Sequence, residues 1–142
     1  MANPKVMAAL RDAESVESLV KLACQLSQGM DAQLIALHVV EVPMATPIEA
    51  EDEVLDHPGK EILARAKSVA EGFSRKITTQ LLRARQAGEA IAGELQEQGV
   101  ELLIMGYHRP HTLSSVLLGS TIQYVARHAK CRVIVQIPPP HR

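Results

Sequence analysis

Two glycines and a pair of hydroxyls carry the clearest chemical possibility in this chain. Gly106 follows the apolar run at 102–105, and thirteen residues later Gly119, Ser120 and Thr121 open a helical pattern. Glycine lets a ligand approach the backbone, hydroxyls donate to phosphate oxygens, and unpaired N–H groups at a helix start attract anions. Together they suit a phosphate. They also admit a plainer use, because Ser120 or Thr121 is a suitable N-cap for the helix that follows.

Other reactive side chains form no such set. His108 and His111 fall in the loop between the two glycines, where they could meet phosphates as cations or move protons, or be exposed loop histidines without a role. His38, His57, His128 and His141 are scattered and show no metal-ligand spacing. Ser114 and Ser115 lie outside any Gly-x-Ser-x-Gly elbow, and no Gly-x-Gly-x-x-Gly follows the first apolar run. Those absences remove the nucleophile-elbow hydrolase and the common dinucleotide oxidoreductase. Cys24 and Cys131 are far apart and read as buried free thiols.

The elements that must position Gly106 and Gly119 follow from periodicity. Residues 5–10 (KVMAAL), 33–42 (QLIALHVVEV), 76–82 (KITTQLL), 102–105 (LLIM) and 132–137 (RVIVQI) predict strands. Between them, Val16, Leu19, Val20, Ala23 and Leu26 predict one helix, ended by Gly29. Ile62, Ala66, Val69 and Phe73 predict a second helix from Gly59 onward. Ile91 and Leu95 mark a third over 89–98, closed by Gly99, and Ile122, Val125, Ala126 and Ala129 a fourth. Residues 43–58 hold three prolines and five acidic residues and predict an irregular loop. Its acidic part, 49–56, is a candidate for a partner or a cation, or simply a solvated loop. Apolar strands alternating with helices indicate a parallel sheet covered on both faces, and the polar third strand suits its edge.

Composition agrees with one soluble α/β domain over 1–142. At 142 residues a single core is expected. With 15 Lys and Arg against 16 Asp and Glu, the chain has no electrostatic drive toward nucleic acid or an anionic membrane. Its longest apolar runs fall well short of the roughly 20 residues that span a bilayer. No signal segment opens the chain, so a cytoplasmic location without membrane insertion is expected.

The run MGYHRPHTLSSVLLGSTIQYVARHAKCRVIVQI resembles the C-terminal signature of the universal stress protein family. LHVVEVP and GEAIAGELQEQGVELLIMG are similar to that family too, so the likeness covers nearly the whole chain. The resemblance implies a five-stranded parallel sheet in order 3-2-1-4-5 with helices on both faces, a Rossmann-like architecture of the adenine nucleotide alpha hydrolase type. It implies a homodimer through the last strand, residues 132–137, whose apolar edge would otherwise stay unpaired. It further implies, for many members, a site for ATP or AMP, with Mg2+ as a companion.

In the ATP-binding members the motif is Gly, two residues, Gly, nine residues, then Gly and Ser or Thr. Gly106, Gly119 and Ser120 fall on it, while Arg109 replaces the second glycine. Arg109 either blocks the backbone's approach or reaches the phosphates with its guanidinium. At the end of the first strand, after Leu10, Arg11 stands where the family usually has an Asp that contacts the ribose, and Asp12 substitutes after a one-residue shift. Val39 matches a position lining the adenine pocket, or is plain core. The resulting expectation is a nucleotide-binding stress-response or regulatory protein, with Leu10, Arg11, Asp12, Val39, Gly106, His108, Arg109, Gly119, Ser120 and Thr121 at the site. It is not expected to be an efficient enzyme. Slow ATP hydrolysis is the most the residues allow, since no general base or metal-binding carboxylate is identifiable. The alternative is a regulatory or protein-interaction domain of the same fold without nucleotide, meeting a regulatory protein partner. The segment HVVEVPMATP is similar to members attached to membrane transporters.

Overall fold

The computed structural model describes residues 3–107 and 118–139. Strand β1 (Lys5–Ala9) has no polar residue after Lys5, and Val6, Met7, Ala8 and Ala9 are all buried, as a strand covered on both faces requires. It pairs in parallel with β2 (Gln33–Glu41) on one side and β4 (Leu102–Gly106) on the other. Strands β3 (Ile77–Ala84) and β5 (Arg132–Gln136) complete a parallel sheet in the order β3-β2-β1-β4-β5. This is the predicted order, with the polar β3 at one edge.

Because successive strand residues face opposite ways, the sheet divides two cores. Val6, Ala8, Leu34, Ala36 and Ile104 meet helix α1 (Val16–Leu26) and helix α2 (Glu53–Gly72). Met7, Ala9, Ile35, Leu37, Leu103 and Met105 meet helix α3 (Ala87–Gln98) and helix α4 (Ser120–His128). Among the described residues no helix is long and apolar enough to cross a membrane.

Several boundaries differ from the sequence expectation. Helix α2 begins at Glu53 rather than Gly59, so the predicted 43–58 loop ends early and Pro58 lies inside a helix. Proline there removes one donor, to the carbonyl of Val54, and Val54 is exposed near the helix start where water can take that carbonyl. Asp52 caps the new start by accepting from the Leu55 N–H at 3.1 Å, and Asp56 is buried. The segment 49–56 is therefore not the wholly solvated acidic loop expected. Among the described residues no three His, Cys, Asp or Glu side chains converge to hold a metal.

Gly29 has the left-handed φ expected of it, +80, but stands three residues past the last residue of α1. The helix stops at Leu26 and Ser27 is its C-cap, with its hydroxyl donating to the Ala23 carbonyl at 2.6 Å. Gly99 does cap α3, at φ +68 in the left-handed region. Cys24 is buried, whereas Cys131, just before β5, is only partly so. Burial pushes both thiols up from their ordinary value, against the pull of Arg75 in the case of Cys24, so neither is activated as a nucleophile.

The chain winds outward from β1 to β2 and β3, then returns to place β4 on the far side of β1. After β1 it leaves toward α1 on one face, and after β4 toward α4 on the other. The diverging exits open a crevice at the carboxyl ends of the strands, where open α/β sheets take their ligands.

Candidate functional site

A cleft of about 420 Å³ occupies that crevice, within the size range of small-molecule sites. Leu10, Arg11, Asp12, Val39, Gly106, Gly119, Ser120 and Thr121 all line it, so residues from β1, β2, β4 and α4 are brought together. His108 and Arg109, also expected there, lie outside the described residues.

The apolar side is made by the alternation of β2. Leu37 and Val39 share one face, with Ile91 of α3, Ala9 at the end of β1 and Met105 of β4 also lining the cleft. Glu41 continues the same face to the rim, and its Oε2 accepts from the Ala87 N–H at 3.2 Å. Gln86, the N-cap of α3, makes no side-chain cap, so Glu41 does that work from the neighbouring strand. Period-two alternation from Val39 places Glu41 in the site. Its role is not legible from local spacing, because its partner Ala87 lies far along the chain.

Two bonds fasten the end of β1. The Leu10 N–H donates to the Leu37 carbonyl at 2.8 Å, and Nδ1 of His38 donates to the Leu10 carbonyl at 2.7 Å. Asp12 then turns the chain, accepting from the Ser15 N–H at 3.1 Å as the cap of a short turn of 3-10 helix, Ala13–Ser15. These bonds set where Arg11 projects. Arg11 is exposed at the cleft and has no hydrogen bond or ion pair with any other described residue.

The opposite end is the start of α4. Gly119, not Ser120 or Thr121, is the N-cap, so the hydroxyl residues occupy the first turn and the plain capping role suggested for them is not the observed one. Gly119 supplies no side-chain cap, and the first turn carries no acidic residue. The N–H groups of Ser120, Thr121 and Ile122 precede the first intrahelical bond, from the Gln123 N–H to the Gly119 carbonyl at 3.1 Å. Among the described residues no acidic side chain in the first turn compensates this positive end of the helix, which borders the cleft.

The two glycines differ in kind. A Cβ on Gly106 would come within 3.1 Å of the Leu19 Cδ1, so packing against α1 keeps that position bare. A Cβ on Gly119 would meet no described atom within 4 Å, and its φ of -69 suits any residue. Neither backbone nor described packing accounts for glycine at 119, and Ser or Asp would cap α4 better.

Residues 3–136 match the Universal stress protein family. A universal stress protein of Methanocaldococcus jannaschii is 31% identical over 125 residues, covering 84% of this chain and 73% of that protein. A universal stress protein A homologue of Coxiella burnetii is 32% identical over 139 residues, 92% of each. Solved structures of the same fold include the universal stress protein of Archaeoglobus fulgidus in complex with dAMP, at TM-score 0.73 and 17% identity over 94% of this chain and 97% of that one. A family member from Arabidopsis thaliana with AMP bound has TM-score 0.63 and 14% identity over 96% and 92%. A universal stress protein in complex with cAMP has TM-score 0.70 and 22% identity over 98% and 100%. With the family match extending from before β1 to the end of β5, this chain belongs to the universal stress protein family.

Proposed function

We propose that the cleft binds an adenine nucleotide, ATP or AMP, and that the chain acts through this binding as a stress-response or regulatory protein and not as an efficient enzyme. The observation that carries the reading is Gly119, a bare N-cap at a helix start with no acidic residue in its first turn and no described atom within 4 Å of where its side chain would be. In this reading adenine lies against Val39 and Leu10, and the phosphates meet the N–H groups and hydroxyls of Ser120 and Thr121 near Gly106. Arg11 and Asp12 face the ribose, and His108 and Arg109 belong to the same motif. Mg2+ accompanies ATP as its counter-ion. The dAMP, cAMP and AMP held by the related structures agree with this class of ligand.

The same reading makes the chain a cytoplasmic protein of one domain that pairs with a second copy through β5. That strand is hydrogen-bonded on its β4 side and ends the sheet on the other.

Titration calorimetry with Mg-ATP, ADP and AMP tests the site, on the wild type and on two variants. Gly119→Ser would cap α4 and keep or raise stability by a few tenths of a kcal/mol, while projecting into the cleft and weakening binding. Gly119→Val weakens it further, by about tenfold or more. Absence of heat from the wild type with all three nucleotides at millimolar concentration would end the nucleotide reading. Adenine carried through purification is easy to see, because the chain has no Trp and two Tyr.

A further inference from the structure

The charges that line the cleft are unequally committed. Among the described lining residues the acids are Asp12 and Glu41, and each accepts a backbone N–H, from Ser15 and Ala87. Arg11 is the cation of the lining set, exposed and engaged with no other described residue. A guanidinium in that state is a receptor for an anion.

Its place in the sheet says which part of a ligand it meets. Ala9 is in register with Leu37 of β2 and with Met105 of β4, and the Leu10 N–H carries the ladder with β2 one residue further. Arg11 follows directly on the end of that ladder, at the cleft, where β1 lies between β2 and β4. Adjacent strands lie about 4.8 Å apart, so β2 and β4 are about 10 Å apart with the end of β1 between them. In the proposed pose, with the base against Val39 of β2 and the 5′-phosphate between Gly106 of β4 and the start of α4, the nucleotide crosses the end of β1. Its ribose falls at the middle, before Arg11.

A ribose bearing hydroxyls alone offers Arg11 neutral acceptors. A phosphate ester on the 2′- or 3′-oxygen offers a planar fork the dianionic acceptor it matches in two hydrogen bonds. We infer that the cleft selects nucleotides carrying a second phosphate on the ribose, with Arg11 as the residue that reads it. This deepens the adenine-nucleotide reading and rests on it.

The test is calorimetry of the full chain with adenosine 3′,5′-bisphosphate, adenosine 2′,5′-bisphosphate, ADP and AMP. ADP is the control for phosphate number, since it carries two phosphates, both on the 5′ side. One of the two bisphosphates is expected to bind about tenfold tighter than ADP, as a charge-assisted contact provides. In Arg11→Ala the ratio of bisphosphate to ADP affinity falls to parity, whatever the change in ADP affinity itself, and Arg11→Lys keeps part of that ratio. Because Arg11 is exposed, these variants fold, which an unchanged melting temperature verifies. Equal binding of ADP and both bisphosphates, or a preference that survives Arg11→Ala, overturns the inference and leaves the nucleotide reading standing. Silence toward all four ligands overturns both.

Discussion

The carboxylate of Asp56, on the buried side of α2, is paired with the guanidinium of Arg83 on the edge strand β3. The other ion pairs among the described residues join side chains that are more than half exposed. The Asp56–Arg83 pair is thus the place where charge stabilises the fold, fixing α2 against the edge of the sheet. Exposed pairs contribute little, because water and salt screen them.

Acid should expose this difference. The hydrogen bond from Arg83 holds the Asp56 carboxyl below its ordinary value of 3.8, against the burial that pushes it up. A carboxyl whose folded value is lowered contributes stability that is present above the ordinary value and is lost as pH falls through the lowered one. The melting temperature of Asp56→Asn should therefore lie well below that of the wild type at neutral pH, and the gap should narrow below about pH 4. A double-mutant cycle at neutral pH should give a larger coupling for Asp56 with Arg83 than for Glu53 with Lys60. A gap that stays constant into acid would show that the pair's charge contributes nothing.

Gly106 and Leu19 make a second coupled pair. Gly106→Ala brings a methyl within 3.1 Å of the Leu19 side chain, which is almost wholly buried and so has little room to move. Overpacking of this kind costs about 1–3 kcal/mol. Leu19→Ala alone leaves a cavity and costs about 2–5 kcal/mol. The Gly106→Ala cost should shrink sharply in the Leu19→Ala background, since the obstruction is gone. Urea denaturation of the four proteins measures it, and simple additivity would contradict the packing role of Gly106.

The parts of the fold that were legible in the sequence are those governed by local pattern. The apolar runs of β1, β2 and β4 and the spacing of Val16, Leu19, Val20 and Ala23 specify their elements without help from distant residues. The start of α2 was hidden because Pro58 reads as a breaker, whereas Asp52 and the pairing of Asp56 with β3 sustain the helix through it. The site was half legible for the same reason. Gly106, Gly119 and Ser120 stand at fixed spacing along the chain. By contrast, the bonds of His38 to Leu10 and of Glu41 to Ala87 join residues that meet only when the strands are laid side by side. Sequence spacing also treats the two glycines alike, although Leu19 crowds one and nothing described crowds the other.

The β5 edge supplies the last prediction. In a parallel ladder a residue's N–H and carbonyl point to the same neighbour, and alternate residues point to opposite sides. The Gln136 carbonyl accepts from the Tyr107 N–H, and the Arg132 N–H donates to the Glu101 carbonyl, so residues 132, 134 and 136 face β4. Val133 and Val135 therefore direct their N–H groups to the open edge, where a second copy would pair. Proline at 135 removes one of those outward donors and leaves the bonds to β4 in place, the situation in which an edge strand tolerates it. The wild type should sediment as a dimer of the chain, and Val135→Pro should sediment as a monomer with an unchanged far-ultraviolet circular dichroism spectrum. A wild type that sediments as a monomer at all concentrations would rule the pairing out, and a Val135→Pro variant that remains a dimer would place the contact elsewhere than at this edge.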